Sequence, residues 1–127
     1  MADIEIRARA FWTDTEGAEH AVGFAASEDP EDGYVLFEGV PGDRKGLYLE
    51  VSDDIFAAKD AVGDVVFNAG GFTLTIRPEM AAKLGMDPLA LRRKNILLGM
   101  VHEVAVFVDA EDADGQAALA VLRGLLG

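Results

Sequence analysis

The side chains able to do covalent chemistry are few. There is no cysteine, which removes disulfides, thiolate nucleophiles and cysteine-held zinc or iron–sulfur centres. Serine occurs at Ser27 and Ser52 and histidine at His20 and His102. Neither serine sits in the G-x-S-x-G elbow that exposes a nucleophile. The histidines are far apart in sequence, and each opens an expected strand, where a lone histidine is more often a surface or cap residue than a base. A hydrolase or lyase using His20 or His102 with a carboxylate would need the fold to bring those groups together. No residue is therefore assigned a catalytic role.

Carboxylates are the abundant functional group: Asp and Glu number 23 against 11 Lys and Arg, a formal charge of −12. The run DAEDADG at residues 109–115 invites a calcium reading. Setting Gly115 at the loop glycine of an EF-hand puts Asp112 and Asp114 in ligand positions. It leaves Ala110 first and Val121 twelfth, where the ion needs carboxylates. The same acids suit the positive N-terminus of a following helix. GVPGDRKG at residues 39–46 is glycine-rich, but Lys45 precedes Gly46 and a strand follows, so it is not a phosphate-binding P-loop. No metal and no cofactor is expected.

Three acidic clusters fall in expected loops: Glu28, Asp29, Glu31 and Asp32; Asp53 and Asp54; and Asp109, Glu111, Asp112 and Asp114. If they converge they make a negative surface for a basic protein; if scattered they solubilise. The first two clusters are the candidate partner-binding residues. Such an acidic surface repels nucleic-acid phosphate and anionic membrane, so neither is an expected partner. The one basic run, Arg92-Arg93-Lys94, reads as a wet helix face or as a docking patch for a second copy.

The elements that must position these groups follow from periodicity. Ile4, Ile6, Ala8, Ala10 and Trp12 alternate with Asp3, Glu5, Arg7 and Arg9, which predicts one strand with a wet face. Residues 22–26, 34–37 and 47–51 read as strands, the last exposing Tyr48 and Glu50 together. The loops between carry Pro30 and Gly33, then Gly39 to Gly46. Residues 56–59 could make one helical turn. Residues 65–67 and 72–76 flank Asn68-Ala-Gly-Gly71 as a hairpin. Pro78 and Gly85 bound a short expected helix, and Asp87-Pro88 could open another. Residues 102–109 alternate Val104, Val106 and Val108 with Glu103, Ala105 and Phe107, a strand expected to be buried on both faces at its centre. Residues 116–126 form a helix with Leu119, Leu122 and Leu126 on one stripe. The expected fold is a single α+β domain of residues 1–127, with a mostly antiparallel sheet of six or seven strands and a C-terminal helix packed on one face. Its beginning, MADIEIRARA, lacks the basic segment and apolar stretch of a signal peptide, and no apolar run reaches the length of a membrane span. Cytoplasmic residence is the expectation.

LYLEVSD at residues 47–53, then the hairpin, then FTLTIRPEMAAKLG at residues 72–85, resembles the bacterial immunity protein 10 family. In that pattern an aromatic-x-Glu strand and polar turn precede a strand–proline–helix segment ending in Leu-Gly. An alternating strand and a leucine helix close it, as residues 103–109 and 116–126 would here. The resemblance covers residues 34–126 and departs at residues 87–100, where this chain looks longer. It implies a non-enzymatic protein that binds and blocks a secreted toxin domain in the cytoplasm, with no family motif fixing the contacts. The alternative is a homo-oligomeric structural or regulatory subunit, such as a homodimer.

Overall fold

A computed structural model describes residues 4–52, 56–76 and 103–127. The expectations for residues 77–102, including both short helices, the basic run and His102, lie outside these, as do Asp53 and Asp54.

The described residues form nine strands and one helix: β1 (Ile4–Arg7), β2 (Ala10–Asp14), β3 (His20–Ala25), β4 (Tyr34–Gly39), β5 (Tyr48–Val51), β6 (Phe56–Lys59), β7 (Val62–Asn68), β8 (Gly71–Ile76), β9 (Glu103–Phe107) and α1 (Ala113–Leu126). The α+β class and the largely antiparallel pairing hold. The single sheet of six or seven strands does not: the strands divide into a four-stranded sheet, β1-β9-β8-β7, and a five-stranded sheet, β2-β3-β4-β5-β6. Among the described strands only β1 and β9 pair in parallel.

The reason is a corner at Ala8-Arg9. The Ala8 N–H donates to Phe107 O at 2.9 Å in the first sheet, and the Arg9 N–H donates to Ala25 O at 2.8 Å in the second. One expected strand is thus two, in different sheets. The bend shifts the inward phase: Ile6 and Ala8 face the core before it, but after it Phe11 turns inward and Trp12 outward, 41% exposed. A second crossing joins β6 to β7 through Asp60, whose φ of 57° is a left-handed value that aspartate tolerates. Residues 56–59 are the strand β6, not a helical turn. Tyr48 to Val51 pairs with them along its whole length.

The expected hairpin is present. Asn68 Oδ1 accepts the Gly70 N–H at 2.8 Å, and Gly71 takes φ +132°. An added Cβ on Gly71 would lie 2.0 Å from Val106 O, so the close approach of β8 to β9 requires glycine. In β9 the valines are buried while Phe107 is 39% exposed beneath the Arg7 guanidinium, so that strand is buried on one face, not two.

The inner faces of both sheets share a core in which the Phe24 ring meets Phe72 at 5.0 Å and Phe37 at 6.5 Å, edge to face. Helix α1 packs on β2, β3 and β4 from the inner side and buries Ala118, Leu119, Leu122 and Leu125. Gly115 lets it approach, since a Cβ there would sit 2.6 Å from Val108 Cγ1 and 3.0 Å from the Phe11 ring. The helix begins three residues before the expected start because Asp112 is its N-cap, accepting the Gly115 N–H at 3.1 Å. No helix among the described residues is long and apolar enough to cross a membrane.

Candidate functional site

With the helix on the inner face, the outer face of the five-stranded sheet is crossed by no other described element. Strand register decides what it displays. Trp12, Gly23, Leu36 and Glu50 form one row across β2 to β5; Ala10, Ala25 and Tyr34 form the next; Asp14, Ala21, Glu38, Tyr48 and Lys59 form a third. Alanines and glycine on β2 and β3 make a low floor, and the larger side chains rise around it.

Trp12 lies flat on that floor. A Cβ built on Gly23 would fall 1.9 Å from Trp12 Cε2 and Cζ2, so the indole rests directly on the glycine backbone. Its ring is 6.3 Å from that of Tyr34 and inclined at 57°, which makes an aromatic corner. Beside the corner stands Glu50. The Tyr34 hydroxyl donates to its Oε2, and the Tyr48 hydroxyl donates to its Oε1 at 2.5 Å. These two bonds fix the plane of the carboxylate. Tyr34 is itself held from below, where its N–H donates to the buried Ser52 Oγ at 3.2 Å.

Two clefts meet at Leu36 and Glu50. The larger, about 620 Å³, is walled by Trp12, Tyr34 and Leu36 and carries the carboxylates of Glu50 and Glu28. The smaller, about 400 Å³, holds Glu19, Glu38, Tyr48 and Glu50 together with Lys59. A concave apolar wall with a few convergent polar groups is the usual make-up of a binding site.

The sequence-expected contact residues are only partly gathered here. Glu28 lines the larger cleft. Asp29 and Asp32 shape the loop that carries it: Asp29 Oδ1 accepts the Glu31 N–H at 2.9 Å, and Asp32 Oδ2 accepts the Ser27 hydroxyl at 2.5 Å. Glu31 is exposed on the same 3-10 turn, Pro30–Asp32. The third acidic cluster is elsewhere, around the start of α1: Asp109 Oδ1 accepts the Glu111 N–H at 2.9 Å while Asp112 caps the helix. No group of three or more His, Asp or Glu among the described residues is arranged to hold a metal ion. His20 opens β3, at the far end of the strand from Ala25 in the Trp12 cleft.

The sequence reading placed Tyr48 and Glu50 on one open face but missed Trp12 and Tyr34. The available signal was Gly23, an isolated glycine inside an alternating strand, which marks a close approach to the backbone. Compared with models of protein families, with curated proteins and with solved structures, the chain shows no significant match.

Proposed function

We propose that this protein is a toxin-neutralising immunity protein that docks a basic toxin domain on the outer face of its five-stranded sheet, and that it binds without catalysing a reaction. The observation that carries the reading is the grouping of Trp12, Tyr34, Tyr48 and Glu50 on one face that no other described element crosses, rimmed by Glu19, Glu28 and Glu38. Tryptophan and tyrosine are the residues that most often dominate protein interfaces. A net charge of −12 steers a basic partner toward it and raises the rate of encounter. A cytoplasmic site of action is part of this reading.

Size sets what the face must recruit. Five strands at ~4.8 Å spacing, four to six residues long, present roughly 400 Å², about half of the ~800 Å² that a stable interface takes from each partner. The remainder would come from flanking loops, of which the acidic 27–33 segment carrying Glu28 and Glu31 lies on the aromatic side. Asp53 and Asp54 are kept as contact residues in this proposal on their charge alone.

The test is binding of the purified protein to the toxin domain encoded beside its gene, together with protection of cells that express that toxin. Trp12→Ala combined with Glu50→Gln should abolish both. An unaltered affinity in that variant, or no complex with the neighbouring gene's product, would overturn the proposal. A complex formed only between copies of this chain would favour the homo-oligomeric alternative.

A further inference from the structure

We infer that the larger cleft receives an arginine side chain of the basic partner, with its guanidinium paired to Glu50 and stacked against Trp12. The inference rests on the reading that this face docks a basic protein and adds the group that enters the cleft.

Acceptor geometry comes first. An ionised carboxylate has about four lone-pair positions, two on each oxygen. One position on Oε2 is taken by the Tyr34 hydroxyl and one on Oε1 by the Tyr48 hydroxyl. What is left is one position on each oxygen, in a plane that the tyrosines hold fixed. A guanidinium supplies two parallel N–H donors in a rigid fork, which can engage both oxygens at once. A lysine ammonium is a single point of charge and gains nothing from the second oxygen's orientation.

Charge complementarity comes second. Among the described residues, the lining of this cleft includes Glu28 and Glu50 and no cationic side chain. Its neighbours are already supplied: Lys59 lines the smaller cleft on the same face, Arg9 a third beside α1, and Arg7 and Arg9 a fourth near Phe107. Of these four clefts, the one at Trp12 is the one whose described lining carries acids and no cation.

The walls come third. Trp12 lies against the sheet with its ring inclined to Tyr34, so two aromatic faces border the space beside Glu50. A planar, weakly hydrated cation stacks on such faces far better than a compact ammonium.

Trp12 is the only tryptophan of the chain, so its fluorescence reports occupancy of the cleft directly. The probes are three blocked tripeptides, acetyl-Gly-X-Gly-amide with X arginine, lysine or citrulline, titrated at constant ionic strength. The arginine peptide should give a saturable change, the lysine peptide should bind at least about tenfold more weakly, and citrulline, which keeps the shape without the charge, should give none. Glu50→Gln should remove the arginine response, and Tyr48→Phe should reduce it. Equal responses to arginine and citrulline, or lysine binding as tightly as arginine, would overturn the inference using the wild-type protein alone. If arginine selectivity is absent while docking of the toxin domain still depends on Trp12, only the arginine inference falls. If arginine binds but the toxin domain ignores Trp12→Ala, only the docking reading falls.

Discussion

Replacing Gly23 with alanine tests how the candidate site is built, because physical expectations of opposite sign meet there. In an ordinary strand the change would stabilise, since glycine gives up more conformational freedom on folding, by about 0.5–1 kcal/mol. Here the new methyl would stand 1.9 Å from two atoms of the Trp12 indole, so the ring must leave the sheet. Trp12 is 41% exposed, which leaves about three-fifths of its surface covered, on the order of 100–150 Å² for a tryptophan. At ~25 cal/mol per Å² the ceiling on the loss is about 4 kcal/mol, and an indole that keeps part of its contact against neighbouring side chains loses less. The net expectation is destabilisation of about 1–2 kcal/mol, with a red-shifted, more quenchable tryptophan emission in the native state. Urea unfolding followed by circular dichroism gives the stability, and the native emission spectrum gives the position of the ring. A Gly23→Ala protein as stable as wild type or more so, with unchanged emission, would refute the placement of Trp12 and with it the aromatic corner.

Three further perturbations probe the frame that holds this face. Gly71→Ala combines a φ of +132° with a methyl 2.0 Å from Val106 O, and should cost about 3 kcal/mol or more because β8 and β9 must separate; denaturant unfolding measures it. Phe72→Ala empties the point where the Phe24, Phe37 and Phe67 rings converge and should lower stability by about 3–5 kcal/mol in the same assay. Asp112→Ala removes the cap of α1 and should lower stability by about 1 kcal/mol, with Asp112→Asn restoring most of it; loss of the effect in both would contradict the capping role.

How much of this was legible in the sequence depended on whether the cause was local. The Asn68–Gly71 hairpin, the alternation of Val104, Val106 and Val108 and the leucine stripe of α1 are set by neighbours in sequence, and each was read correctly in kind. The corner at Ala8-Arg9 was not legible, because the alternation of residues 4–12 continues smoothly in type while the backbone changes sheets. That hidden shift of phase is why Trp12 was expected inside and stands outside. Residues 56–59 suffered the opposite fault: Phe56-Ala-Ala-Lys59 has a helix-compatible composition, and only pairing with β5 makes it a strand. For the site, Tyr48 and Glu50 were visible as an open stripe, and Glu28 was expected from charge alone. Asp29 and Asp32 also accept hydrogen bonds within their own loop, which charge alone does not reveal.

The central claim is that the outer face of the five-stranded sheet is the partner-binding surface. Its most direct test is calorimetric titration of the proposed basic toxin domain into wild-type protein and into a properly folded Trp12→Ala, Glu50→Gln variant. Tight, salt-sensitive binding to the wild type with at least a hundredfold loss in the variant, about 3 kcal/mol or more, is the predicted result. Equal affinity for the two proteins would place the interface elsewhere and contradict the account.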